Sequence, residues 1–217
     1  MIKAILFDFD GTLADTNPLI IRTFKETFAK MLKEKTLTEE EILACVGPTL
    51  EETGEKYFPE NPQAFVDGYR TLNDKYHDDM INIYPGIIQM MEALVAKGLK
   101  LAIVSSKRRD FVIRGMKCVD LYDYFDYIVA ADDVMRHKPD PEPLLKAMNH
   151  FGLKPHECLM VGDNGHDIHG AKNADILGIA VGWAFKGAEY LRALNPDYLV
   201  ETPMDIVGIV DELRESL

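Results

Sequence analysis

The chain has 217 residues, 47% of them hydrophobic and 28% charged, which is the make-up of a globular protein with one large domain or a domain carrying an insertion. Its net charge of −12 argues against nonspecific binding to nucleic acid or an anionic membrane. An acidic protein that acts on an anionic substrate needs a local cation in its site, so a divalent metal becomes more plausible. Three cysteines, Cys45, Cys118 and Cys158, are far apart and form no CxxC, so buried free thiols are expected rather than disulfides or a zinc site. No apolar run approaches the length of a membrane span, and the N-terminus runs directly into a strand pattern. A cytoplasmic location with no signal peptide or anchor is the simplest expectation.

In chain order, Ile2 to Phe7 is an apolar run of strand length, continuous enough to imply cover on both faces, as in a parallel sheet. Asn17 to about Lys33 carries Leu19, Ile20, Phe24, Phe28, Met31 and Leu32 at helical spacing. Thr38 with Glu41, and Thr49 with Glu52, have the capping-box spacing of two short helix starts, separated by the loop Val46-Gly47-Pro48-Thr49. A further helix is expected from Pro62 to about Asp79, so residues 15–81 read as a helical block without a strand. From Tyr84-Pro85-Gly86 onward the pattern alternates. Strands are expected at 99–104, 127–130, 157–161, 176–181 and 198–200, and helices at 87–97, 110–116, 141–151, 166–173, 188–194 and 204–214. Such alternation implies right-handed crossovers and a Rossmann-like parallel sheet at 1–14 and 82–217, with the helical block inserted after the first strand.

The chemistry-bearing residues fall where these strands end. The first strand runs into Asp8-Phe9-Asp10-Gly11-Thr12. In parallel sheets the ligand crevice lies beyond the carboxyl ends of the strands. Two carboxylates at about 4 Å repel by about 4 kcal/mol at an effective dielectric of 20, which a cation between them or a proton on one would relieve. Gly11 permits a sharp turn, and Thr12 offers a hydroxyl and an N–H to an anion. Ser105-Ser106 follows the second strand and suits either an oxyanion contact or a helix cap. Lys138, between prolines in His137-Lys138-Pro139-Asp140-Pro141, is either a surface lysine or a neutraliser of acids and phosphate. Asp163 and Asp167 leave the fourth strand, the second of them at a helix start that its dipole would favour in any case. Together Asp8, Asp10, Asp163 and Asp167 would make an oxygen-only cluster of the kind that suits Mg²⁺. His77, His137 and His166 are scattered, and hard oxygen ligands fit better. Arg70, Lys107 and Arg109 are candidate substrate cations. Trp183 reads as a packing residue, and Phe24, Phe28, Tyr57, Phe58, Phe65 and Tyr69 as the core of the helical block or the seam beside it.

These ordered motifs resemble those of the haloacid dehalogenase superfamily phosphatases: DxDGT at Asp8–Thr12, a strand-ending Ser105, Lys138, and Gly162-Asp163 with Asp167. The likeness covers essentially the whole chain, and residues 15–81 look like the helical cap of that superfamily. It implies that Asp8 is a nucleophile forming an aspartyl-phosphate and that Asp10 is the general acid and then base. It further implies Mg²⁺ held by Asp8, the Asp10 backbone carbonyl, Asp163 and Asp167, and a phosphoryl group bound by Thr12, Ser105, Ser106 and Lys138. Thr12 leans toward hydrolysis, because the sugar-phosphate mutases of the superfamily often carry a bulkier apolar residue there. Val46–Leu50, Tyr69–Asn73 with His77, Lys138–Pro143, Val161–Asn164 with His166 and Asp167, and Lys186-Gly187 with Glu189 resemble the bacterial pyrophosphatases linked to HPr serine-phosphate metabolism. Phosphoglycolate phosphatases share part of these patterns. The implied substrate is a small phosphorylated molecule, first inorganic pyrophosphate, then phosphoglycolate or another phosphomonoester, with Gly47, Pro48 and Thr49 either touching the leaving group or forming a plain inter-helix turn. A β-phosphoglucomutase-like isomerase and a receiver-like module phosphorylated on Asp8 are the rivals from other classes. A receiver is ranked far lower because it has no helical insertion of this size. The oligomeric state is not legible.

Overall fold

In a computed structural model of the protein, residues 1–32 and 37–215 are described; the expected helix end at Lys33 lies outside them. The chain forms two compact units, Met1–Asp15 with Ile83–Leu217, and Thr16–Asn82.

The first unit contains β1 (Ala4–Phe7) and, at its edge, β2 (Ala14–Asp15). The second unit contains α1 (Asn17–Met31), α2 (Glu39–Leu43), α3 (Leu50–Tyr57) and α4 (Pro62–Tyr76). The short β3 (Asn82–Ile83) leads back to α5 (Ile87–Ala96), β4 (Lys100–Val104), α6 (Arg109–Cys118) and β5 (Tyr127–Val129). Then follow α7 (Glu142–Phe151), β6 (Cys158–Gly162), α8 (Gly165–Asn173), β7 (Leu177–Val181), α9 (Gly187–Ala193), β8 (Tyr198–Val200) and α10 (Pro203–Glu215). Among the described residues no helix is long and apolar enough to cross a membrane.

Six strands form a parallel sheet in the order β5-β4-β1-β6-β7-β8. β1 is therefore central, flanked by β4 and β6, with Phe7 in register with Ile103 on one side and Val161 on the other. Its residues are buried on both faces, because side chains alternate and helices cover each side. Ala4 and Leu6 pack with Ala102, Val104 and Met160 against Leu144, Ala147 and Met148 of α7 and Ala171 of α8. Ile5, Phe7, Leu101 and Ile103, on the opposite face by alternation, are equally buried. Each such side chain contributes roughly 1.5–3 kcal/mol on leaving water.

Helix ends follow local chemistry. Thr38 and Thr49 cap α2 and α3 with their hydroxyls, and Glu41 and Glu52 return the bond to the cap N–H. Gly152 ends α7 in the left-handed region at φ 65. The core of the second unit is aromatic: Phe24, Phe28, Phe58 and Phe65 lie with neighbouring ring centroids 5.1–6.3 Å apart, and Tyr69 packs on Phe24. Cys45 and Cys158 are buried, but Cys118 is exposed. The expectation of three buried thiols fails there because Cys118 closes α6 beside the exposed Lys117, on the turn that faces solvent.

Candidate active site

The site begins at the tip of β1. The Asp8 N–H continues the ladder by donating to the Val161 carbonyl at 2.9 Å, so the residue is fixed in place before its side chain acts. The Asp8 carboxylate accepts the Phe9 N–H at 2.8 Å. The chain then reverses: Gly11, at φ 77, donates its N–H to the Ala14 carbonyl, a conformation glycine adopts without a Cβ penalty. The Trp183 indole N–H donates to the Thr12 carbonyl at 3.0 Å and so braces the turn. Trp183 is thus more than the packing residue expected from sequence, although its ring also lies against Tyr84. The Thr12 hydroxyl is fully buried and has no hydrogen-bond partner among the described residues.

Adjacent strands supply the rest. Ser105 follows β4, donates its N–H to the Val129 carbonyl, and accepts the Lys107 N–H on its hydroxyl. Ser106 beside it is half-buried. Lys138, joined to Pro139 by a cis bond, is buried. Its ammonium donates to the Val104 carbonyl at 2.7 Å and to Asp167 at 2.6 Å, and lies 3.4 Å from Asp8. The surface alternative for Lys138 is thereby excluded.

β6 ends at Gly162, and Asp167 folds back beneath it from the first turn of α8. One Asp167 oxygen takes the Lys138 ammonium; the other accepts the N–H groups of Asp163 and Asn164. The helix-start placement read from sequence and the charge pairing with Lys138 therefore belong to the same carboxylate. The Asn164 side-chain amide donates to Asp163 at 3.1 Å.

Carboxylate oxygens of Asp8, Asp163 and Asp167 lie within 4.8 Å of one another, and all three residues are buried. The Asp10 side chain does not join this trio; it pairs with the Lys107 ammonium at 3.0 Å. Among the described residues, these three buried acids face the buried ammonium of Lys138 and the half-buried Lys186, which acts on Asp163 and Asp167, so the acids remain in excess. Burial pushes the Asp8 carboxyl up to about 7; Lys138 opposes the rise, and Asp167 and Asp10 add to it. Burial also raises Asp163 well above the usual carboxylate range, with Asp167 and Asp8 contributing. For Lys138 burial works against the charge, but Asp167 and Asp8 more than offset it. An all-oxygen donor set with uncompensated charge fits a hard divalent cation such as Mg²⁺.

Two other candidate cations are committed elsewhere. The Arg109 guanidinium holds Asp133 and the Ile128 carbonyl, and Arg70 pairs with Glu51 at 2.7 Å. In the second unit Gly47 adopts φ 117, and the Thr49 hydroxyl is used as the α3 cap.

Residues 5–181 match the haloacid dehalogenase-like hydrolase family. The chain belongs to that family. This hydrolase is 42% identical over 209 residues to a protein named pyrophosphatase PpaX from Halalkalibacterium halodurans, across 96% of this chain and 97% of that one. It is 38% identical over 215 residues to a Bacillus cereus protein of the same name, across 99% of both. Among solved structures, a haloacid dehalogenase-like hydrolase from Bacteroides fragilis superposes with a TM-score of 0.85 at 28% identity, over 93% of this chain and 98% of that one. A Lactobacillus plantarum structure, provisionally described as a phosphoglycolate phosphatase, superposes at 0.84 with 25% identity, over 96% and 99%. This hydrolase is therefore an enzyme, a phosphohydrolase on the Rossmann-like fold of its family.

Proposed function

We propose that this hydrolase is a Mg²⁺-dependent pyrophosphatase acting through an aspartyl-phosphate on Asp8. The observation that carries the reading is the placement of Asp8. Its carboxylate stands at the tip of the central strand, 3.4 Å from the Lys138 ammonium and grouped with Asp163 and Asp167. Phosphoryl transfer needs in-line positioning and neutralisation of charge more than covalent chemistry from the protein. Asp8, Asp163 and Asp167, with the Asp10 backbone carbonyl, would hold the metal, which supplies charge neutralisation on the phosphoryl oxygens.

An Asp8 oxygen attacks phosphorus, and the bond from phosphorus to the leaving oxygen breaks with its electron pair on that oxygen. Protonated Asp10 gives its proton to the leaving oxygen and becomes a carboxylate. Water then attacks the phosphoryl group and passes its proton to Asp10, releasing inorganic phosphate and restoring Asp8. Ser105, Ser106, Thr12 and Lys138 bind the transferring oxygens; the unpartnered Thr12 hydroxyl is a donor with nothing else to hold.

Pyrophosphate comes first because the relatives named pyrophosphatase match over nearly their whole length. A phosphoglycolate or other phosphomonoester phosphatase is the second reading, favoured by the Lactobacillus plantarum neighbour. The test is a substrate panel with and without Mg²⁺, run on the parent and on Asp8→Asn. Pyrophosphate is expected to give the highest kcat/KM, and Asp8→Asn to lose on the order of 10⁴-fold or more. Full activity in Asp8→Asn would reject the covalent step. Pyrophosphate turnover far below that of phosphomonoesters would reject the substrate.

A further inference from the structure

We infer that Lys107 selects substrates whose leaving group is an anion. The inference rests on the proposed role of Asp10 as proton donor to the leaving oxygen, and it adds a residue outside the four family motifs. Asp10 must stand beside the departing group to perform that role. Once Asp10 has given up its proton, its carboxylate repels a leaving group that is itself negative, such as the second phosphate of pyrophosphate. A neutral alcohol meets no such repulsion.

The Lys107 ammonium lies 3.0 Å from an Asp10 carboxylate oxygen, and both side chains keep partial access to solvent, 16% and 18% exposed. That access separates Lys107 from Lys138, which is buried and divided among Val104, Asp167 and Asp8. The two arginines that follow Lys107 are committed to structure: Arg109 to Asp133 and Ile128, Arg108 to Asp110. Lys107 is also held from behind. Its N–H donates to the Ser105 hydroxyl, and its carbonyl accepts the Ala131 N–H at 2.9 Å. A fixed backbone with a partly exposed ammonium at Asp10 is the arrangement needed to receive an anionic oxygen next to the proton donor. As the leaving group departs, the ammonium bridges it and the newly formed Asp10 carboxylate, so the two negative groups do not face each other alone.

The test compares Lys107→Gln and Lys107→Arg with the parent on pyrophosphate, phosphoglycolate and glycerol 2-phosphate, at saturating Mg²⁺. Gln keeps a donor for Asp10 and removes the charge; Arg keeps the charge. Lys107→Gln is expected to lose kcat/KM on all three, because Asp10 is less well held. The loss should be about 30-fold greater on pyrophosphate and phosphoglycolate than on glycerol 2-phosphate, the scale of one charge-assisted hydrogen bond. Lys107→Arg should recover most of that difference. Equal losses on all three substrates would overturn the inference and leave Lys107 as a positioning residue for Asp10. If the parent spares pyrophosphate, the pyrophosphate reading falls separately, and the phosphoglycolate and glycerol phosphate pair still decides the role of Lys107.

Discussion

A methyl group added to Gly162 would lie 2.2 Å from the Asp167 Cβ and 2.3 Å from its Cγ. The glycine at the end of β6 is thus the space into which Asp167 folds to reach Lys138 and the N–H groups of Asp163 and Asn164. The colliding atoms are the stem of a short side chain on the first turn of a helix, so they cannot swing away as a long side chain would. Gly162→Ala should therefore move α8 or turn Asp167 out, costing about 1–3 kcal/mol of stability in urea denaturation. Phosphatase activity should fall with it, because the Lys138 partner is displaced. A variant with the parent's denaturation midpoint and activity would show that α8 shifts freely. At this scale the sequence was informative where an acid ends an apolar run: Asp8 and Asp163 are local signals, read without knowing the contacts, whereas Ser105 reads equally as a helix cap. Lys138 read alone favours a surface lysine and Asp167 a helix-start acid, because the pair between them spans 29 positions and no local pattern encodes it. The indole bond of Trp183 to Thr12, across 171 positions, was missed for the same reason, and a tryptophan after a strand gave no other sign.

Elements were legible because their determinants are short-range. Thr38 with Glu41 and Thr49 with Glu52 placed two helix starts at the residues where the structure has them. Ends were less sharp. α4 stops at Tyr76 rather than near Asp79, and α6 reaches Cys118 rather than Met116, since no glycine or proline marks either end. The Gly47-Pro48-Thr49 loop shows how far a local pattern reaches. The capping box explains Thr49 completely as a helix cap: its hydroxyl accepts the Glu52 N–H and its carbonyl the Thr53 hydroxyl. Contact with a leaving group is a second role that the same spacing cannot test. Thr49→Ala should cost about 1 kcal/mol, as removal of an N-cap does, and lower the unfolding midpoint in proportion. Thr49→Ser keeps the cap and should restore the midpoint. A rise in KM shared by the Ala and Ser variants, with Ser at the parent's stability, would assign Thr49 to substrate contact as well.

For the molecule as a whole, the carboxylate cluster couples stability, pH and metal. The Asp8 carboxyl has an ordinary value of 3.8 and rises to about 7 in the folded protein, and Asp163 moves in the same direction. In the unfolded chain both release their protons near the ordinary value. Between 3.8 and about 7 the folded protein therefore binds more protons than the unfolded chain, so stability without a divalent cation declines as pH rises through that window. The Asp8 share of the penalty is complete once Asp8 is charged. A divalent cation bound to the ionised carboxylates reverses that loss, because ligands that bind only the folded state raise its stability by mass action. Mg²⁺ should thus shift Tm less at pH 5, where Asp8 still holds its proton, and much more at pH 8. Asp8→Asn removes one of the crowded charges. In EDTA at pH 8 it should melt above the parent, and most of its Mg²⁺ shift should disappear. Thermal scans of both proteins at the two pH values, with EDTA or Mg²⁺, decide the matter. A Mg²⁺ shift equal at pH 5 and pH 8 would mean that the buried acids are not what the cation engages.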